Sequence, residues 1–446
     1  MGIDQGGFSP HVLHKIVYAG VHNTSFAAGS RDLQVLAGLK IPEKQVERRT
    51  KSIGQERLDQ REREVEAFLA LPLMEKVTSP VHSPDWAVVM MDGGRLQILD
   101  RHATAAESSA AACPEAEPPA ALPVPVPSES GPAAGAKPQA EADQEPHRRG
   151  HWREDKIGLL MTMTSETSNA DPCPMIPETF VNPLRIPKLV REIKRSVPAG
   201  EDAVAERAED DPASEMEESA EYTPPKVRVK SMVATRRVAQ QFGTLLAAAA
   251  FARGFFGAKH KAFVGDGAET NWTIHRQWFS DFVAILDFIH ALTYVFSSAM
   301  AGRAFRQGWE TYVRWINWVW QGKVGEMIAE LEQRQKELGV PEAEESETSP
   351  RQVVAAALVY LKNNQDRMKY DEYRRQGLPL VSSHVESTVK QFNRRLKGTE
   401  KFWSEPGAEE LLQLRADYLS ETEAMEKFWQ DREAAATGRR RYRRSA

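Results

Sequence analysis

Apolar and polar residues change their period several times along this chain, and the changes divide it into segments. Residues 1–75 read as helical. Ser30 to Leu39 predicts a capped helix that Gly38 stops, and Pro42 opens another in which Val46, Thr50 and Ile53 share one face. Two short helices about a tight turn, the second rich in Lys and Arg, suggest a helix-turn-helix-like region. A helical pair with an ordinary basic exposed face is the other reading. Gln55 to Leu73 continues as a charged helix. Within residues 85–101, the apolar run Trp86 to Met91, then Asp92-Gly93-Gly94, then alternation over Arg95 to Leu99 predicts a β-hairpin.

Further along, Lys156 to Met163 reads as a strand and Val233 to Phe255 as an Ala-rich helix. Ala262 to Gly265 predicts a strand that ends at Asp266, and residues 279–300 a strand running into a helix. Residues 303–375 have helical spacing throughout, with a loose acidic break from Glu342 to Glu347, before the helix that carries Glu386. Strands bracketing helices predict an α/β fold with an all-helical insertion domain at 301–377. Its core would be shared among 85–101, 150–197, 226–300 and 378–434.

Two segments interrupt that core. Residues 102–149 are Ala, Pro, Glu and Ser with few large apolar side chains, and residues 198–225 are acidic. Neither can bury enough surface to offset its ordering entropy, so both are expected to be disordered. The net charge of −5 averages over strong segregation: residues 201–221 hold ten acidic side chains, whereas 435–446 form a basic tail with Arg439, Arg440, Arg441, Arg443 and Arg444. The average therefore does not exclude nucleic acid as a partner. Cys113 and Cys173 have no metal-ligand spacing and read as free thiols of a reducing compartment. The most apolar window, Phe282 to Met300, contains Asp287 and His290, which favours a buried segment over a membrane span. A soluble intracellular protein is the expectation.

Three carboxylates stand where metal ligands would be placed. Asp92 and Asp266 each close an apolar run and precede glycine, and Glu386 opens an amphipathic helix. Converging in a folded α/β domain, three hard oxygen ligands suit Mg²⁺ or Mn²⁺ and phosphodiester chemistry. Each has a plainer reading. Asp-Gly is a common turn dipeptide, and Ser383 three residues before Glu386 spells a capping box. On the helix after Glu386, Val385, Val389 and Phe392 form a buried stripe while Glu386, Lys390, Asn393 and Lys397 fall on another face. That face could track phosphates or be a solvated salt-bridged surface. Asp287 and His290 could be ligands or a hydrogen-bonded core pair, and the Trp309, Trp315, Trp318 and Trp320 cluster reads as core. No phosphate-cradling Gly-rich loop and no Ser-His-Asp or Cys-His arrangement is present.

These residues together resemble a known family. Val88 to Arg95, Gly265-Asp266-Gly267-Ala268 with Trp272, Ile285 to Ala291, Val385-Glu386-Ser387, Arg395 to Gly398, Trp403, Gly407-Ala408-Glu409 and Leu414-Arg415-Ala416 are similar to bacterial insertion-sequence transposases of the ISKra type, related to the Mutator-like DDE transposases. The resemblance implies an RNase H-like catalytic core with Asp92, Asp266 and Glu386 as its triad, a helical insertion before the Glu, and an Asp-x-x-His motif at Asp287 and His290. It implies two Mg²⁺ or Mn²⁺ ions about 3.5–4 Å apart and hydrolysis of a strand at the element end. Attack of the freed 3′-OH on target DNA would follow. Double-stranded DNA would be the partner, held by Lys390, Asn393, Arg394, Arg395, Lys397, Arg48, Arg49 and Lys51, with a homo-oligomer on the DNA in a bacterial cytoplasm. A Cys-bearing segment usually precedes the region matched by Met1, and the 102–149 insert is long. Both leave open a catalytically inactive, transposase-derived DNA-binding protein, and an RNase H-fold nuclease without strand transfer is a third reading.

Overall fold

The computed structural model describes residues 7–77, 83–99, 151–196, 223–342, 344–398 and 401–436. The expectations for 102–149, for most of 198–225, for nearly all of the tail and for Cys113 lie outside them. The chain begins with α1 (Pro10–His22), α2 (Phe26–Ala37), α3 (Glu43–Ala70) and α4 (Leu73–Val77). Ser25, not Ser30, caps α2, and Gly38 ends it in the left-handed conformation at φ 67°. The face predicted for the next helix is buried: Val46 and Thr50 are fully enclosed and Ile53 nearly so. That helix is one continuous 28-residue element and not a short helix followed by a spacer.

Strand β1 (Trp86–Ile98) is followed by β2 (His151–Thr164), α5 (Ile186–Ser196), β3 (Lys226–Thr235) and α6 (Ala239–Ala252). Then come β4 (His260–Gly265), α7 (Glu269–Trp278), β5 (Val283–Leu286) and α8 (Phe288–Met300). The helical block contains α9 (Phe305–Trp320), α10 (Val324–Leu338), α11 (Pro350–Asn364) and α12 (Tyr370–Arg375). Last are α13 (Ser383–Leu396), β6 (Phe402–Trp403), α14 (Glu405–Leu419) and α15 (Ala424–Ala435). The fold is mixed α/β around a six-stranded sheet ordered β3-β2-β1-β4-β5, with β6 paired to β1 beyond the end of β4.

The sheet departs from the sequence pattern in two places. Residues 85–101 are not a hairpin: Asp92, Gly93 and Gly94 lie inside β1, opposite Ile157, Lys156 and Asp155 of antiparallel β2. The true partner of β1 is the strand after the long insert, so thirteen consecutive residues stay in one ladder and the turn signal is overridden. Gly94 serves a close approach, since a Cβ there would lie 2.8 Å from a carboxylate oxygen of the buried Asp155. The helix predicted from Val233 begins later, at Ala239, because Lys226–Thr235 pairs with β2 as an antiparallel strand.

Packing follows from these pairings. α6 lies against β2 where Gly158 leaves room, since a Cβ there would meet Leu246 at 2.5 Å. α13 packs over β1 and β2, and α14 runs beside β3 and α3. α3 is tied to α14 by the buried Arg57–Asp417 pair at 2.9 Å. In the helical block Trp315 and Trp320 are core residues, and Trp320 donates to the Cys173 carbonyl at 2.8 Å. Among the described residues no helix is long and apolar enough to cross a membrane. The apolar window from Phe282 is divided between β5 and α8, with Asp287 at the junction.

Candidate active site

β4 runs parallel to β1 with Met90 opposite Val264. Two residues further along both strands stand Asp92 and Asp266, so continuing the register brings the two carboxylates level. β4 has ended by then, and β6 joins the same edge of β1 only at Gln97. Asp92 therefore sits at a gap in the sheet, and α13 crosses there with Glu386 in its first turn.

β5 ends at Leu286, and Asp287 caps α8, its Oδ1 accepting from the Ile289 amide at 2.6 Å. Its Oδ2 accepts from the Ser382 amide at 3.1 Å and from the Ser382 hydroxyl. His290 Nδ1 lies 3.3 Å from that oxygen, close enough for an ion pair although outside hydrogen-bond geometry. Asp287 is wholly buried. One carboxylate thus fastens the start of α8, the start of α13 and His290 together, and so sets where Glu386 stands. The capping-box reading of Glu386 does not match this arrangement. The residue at the cap position is Ser382, and Ser383 is already inside the helix.

Ligand atoms of Asp287, His290 and Glu386 lie within 4.8 Å of one another, a grouping able to hold a metal ion. Asp287 is the weakest donor of the three because its oxygens already serve four groups. The electrostatics extend the cluster to the strand carboxylates. Burial pushes Asp92 up to about 6 against the Gly93 amide that it accepts, and Asp266 and Asp287 push further in the same direction. Burial likewise raises Glu386 to about 7, helped by Asp287 and Asp92 and opposed by His290 and Lys390. Burial works against the His290 charge, but Asp287, then Asp266 and Glu386, outweigh it and raise the imidazole to about 9. Asp92, Asp266 and Glu386 each feel the charge of the same imidazolium, although of the three only Glu386 belongs to the grouping within 4.8 Å. Their mutual repulsion is what a divalent cation would relieve.

The backbone after Asp266 is held from the helical block. Asp266 Oδ1 accepts from the Ala268 amide at 2.9 Å and from Asn271 Nδ2 at 2.8 Å. Its carbonyl accepts from the Tyr360 hydroxyl at 2.5 Å, and the Tyr360 ring stacks on Tyr294 at 3.7 Å. Gly267 has φ +97°, and a Cβ there would lie 2.6 Å from the Tyr360 ring and hydroxyl. Gly267→Ala should therefore cost roughly 1–3 kcal/mol from strain alone, read as a lowered midpoint in urea. An unchanged midpoint would mean that Gly267 does not hold the left-handed conformation in the folded protein. Tyr360 and Asn271 carry no motif by themselves, and only their contacts reveal them.

The residues expected to meet DNA are dispersed. Lys390, Arg394 and Lys397 are exposed along and just after α13, with Asn393 half-buried among them. Arg395 is the exception: it is buried, donates Nε–H to the Gly20 carbonyl at 3.1 Å, and stacks on Phe26 and Trp403. Its charge caps the end of α1 and faces no solvent, so it is withdrawn from the phosphate-facing set. Arg48 is exposed, Arg49 lies over Phe8 at 5.6 Å, and Lys51 pairs with Glu47 at 2.7 Å. No family model matches the chain, and no curated protein matches it.

Proposed function

We propose that the chain is a metal-dependent DNA strand-processing enzyme of the DDE transposase class, built on an RNase H-like core. The observation that carries this reading is that Asp92 and Asp266 come level on the adjacent parallel strands β1 and β4, beside a grouping of Asp287, His290 and Glu386 able to hold a metal ion. The strand order supports it: a three-strand antiparallel meander is followed by two strands parallel to the first, and the register brings Asp92 level with Asp266 just past the end of β4. The helical block between β5 and α13 matches the insertion that the resemblance implies.

Asp92, Asp266 and Glu386 would hold Mg²⁺ or Mn²⁺, which when bound supplies Lewis-acid activation of water and stabilises the leaving oxygen. Their fit is chemical: all are hard oxygen donors, and two are held above the ordinary carboxylate range by burial and by one another. Asp287 orients Glu386 through Ser382, and His290 balances the carboxylates. Lys390, Arg394 and Lys397 offer cations for a phosphate backbone leading away from the site.

Cleavage of labelled duplexes carrying candidate element ends, in Mg²⁺ and in Mn²⁺, tests the reading with Asp92→Asn and Asp266→Asn as controls. The parent should cut and both variants should not, while all three bind the same DNA. Binding without cleavage by the parent would favour the inactive DNA-binding derivative. A pH series adds an independent readout. Ions displace protons from Asp92 and Glu386, so Mn²⁺ affinity should climb as pH rises through about 6 to 7 and then level off. Affinity that is flat across this window would place the ion elsewhere.

A further inference from the structure

Asp287, His290 and Glu386 have a use that the carboxylate triad does not exhaust. One donor atom from each lies within 4.8 Å of the other two, and neither Asp92 nor Asp266 belongs to the grouping. His290 supplies its one nitrogen. The Nδ1 atom is buried and stands 3.3 Å from Asp287 Oδ2, yet it makes no hydrogen bond. Donors on one tetrahedral ion stand about 3.4 Å apart when the bonds are about 2.0–2.1 Å long. The pair therefore has the spacing of two ligands of a single ion and lacks the alignment of a hydrogen-bonded couple.

The carboxylates have room for an ion. On Asp287 the Ile289 amide and the Ser382 amide and hydroxyl fill three of roughly four lone-pair sites, which leaves one. Those bonds also fix the group, as ligating carboxylates are commonly fixed. The Glu386 carboxylate accepts no hydrogen bond among the described residues. The imidazole is partly exposed, so the grouping is open to solvent. One imidazole with two carboxylates suits Zn²⁺ better than Mg²⁺, which takes oxygen ligands and gives up its water reluctantly. Three protein ligands and a water also make an ordinary open zinc site.

We infer that Asp287, His290 and Glu386 bind Zn²⁺ at a second metal site, which shares Glu386 with the Mg²⁺ or Mn²⁺ site proposed above and so competes with it. When the triad holds its ions, Asp287 positions Glu386 and His290 balances the carboxylates. When zinc is bound, both become ligands and Glu386 is drawn away from Asp92 and Asp266. Zinc sends the imidazole proton to solvent, and the ion's charge replaces that of the imidazolium. Excess zinc would then halt strand cleavage without touching DNA binding.

The competition rests on the DNA-processing reading, but the zinc site is judged on metal-free protein without DNA, so the two fail separately. The full chain, its histidines labelled with nitrogen-15, is titrated with Zn²⁺ and followed by calorimetry and NMR. The parent should bind one equivalent, and one imidazole nitrogen should shift. Glu386→Gln, whose metal-free fold should be no less stable than the parent's, should lose that shift. It should also bind zinc more than about a hundredfold more weakly, beyond the range for losing a group that only orients a ligand. His290→Gln should behave in the same way, whereas Asp92→Asn should stay close to the parent. Absence of zinc binding would overturn the site, as would binding that moves no histidine nitrogen or a shift that survives Glu386→Gln. An affinity that falls as far in Asp92→Asn as in His290→Gln would overturn it too, since the ion would then sit on the triad.

Discussion

Glu386→Gln should abolish metal-dependent strand cleavage and, in the same protein, raise the stability of the metal-free fold at pH 8. The two effects have one cause. Glu386 is held near 7 in the folded chain by burial and by Asp287 and Asp92, against an ordinary value of 4.5. Below about pH 4.5 it is protonated in both folded and unfolded states and contributes no difference. As pH rises the unfolded chain releases its proton first, so the folded state loses ground through the window up to about 7. Above that window the loss is constant, on the order of 2 kcal/mol after allowance for partial solvent contact. Glutamine carries no charge and escapes the loss, but it cannot serve as an anionic ligand. Urea denaturation at pH 5 and pH 8 without metal, beside a cleavage assay, measures both. Cleavage retained in Glu386→Gln would remove the residue from the proposed metal site and with it the proposed triad.

Asp287→Ala should cost about 3–5 kcal/mol, the range for removing one partner of a buried ion pair. The substitution leaves the Ile289 amide and the Ser382 amide and hydroxyl without their acceptor, and the His290 imidazolium without its nearest counter-charge. It also unties α13 from α8. The sign of the pH dependence follows from His290, which is raised above its unfolded value of 6.5 to about 9. Its share of the stability is fully present below pH 6.5 and is lost as pH rises through about 9. The gap between parent and variant should therefore be widest near pH 6 and narrower at pH 9.5, where the amide and hydroxyl contacts still hold. A loss below about 1 kcal/mol at pH 6 would mean that Asp287 does not organise the junction.

Much of this arrangement is written locally. The runs ending at Asp266 and Asp287 and the buried stripe Val385, Val389 and Phe392 depend on periodicity, and the elements formed there follow it. What could not be read depends on partners distant in sequence. Asp92-Gly93-Gly94 has the chemistry of a turn, and only pairing with residues 155–157, across the long insert, keeps it extended. Lys226 to Thr235 alternates Val227, Val229 and Val233 with charged residues, a strand signal obscured by the Ala-rich helix beside it. Arg395 has the same local look as Arg394. Its burial against Gly20, Phe26 and Trp403 exists only because α1, α2 and β6 come together there. The role of Asp287 was hidden for the same reason, since Ser382 is 95 residues away.

The edge of β1 has a consequence for the order in which the molecule is made. Its first half is closed by β4, but its second half waits for Phe402 and Trp403, and the carboxylate between the halves waits for Glu386. Chain emerging from a ribosome can assemble the meander, β4 and the aspartates while Glu386, about 120 residues beyond Asp266, is still to come. Contacts of such long range form late and slowly. Until they form, the aspartates repel one another without the helix that encloses them, and any ion they attract has an incomplete set of ligands. On the function proposed here, the capacity to cut DNA would thus arrive after the capacity to fold most of the sheet, and partial chains would be inert.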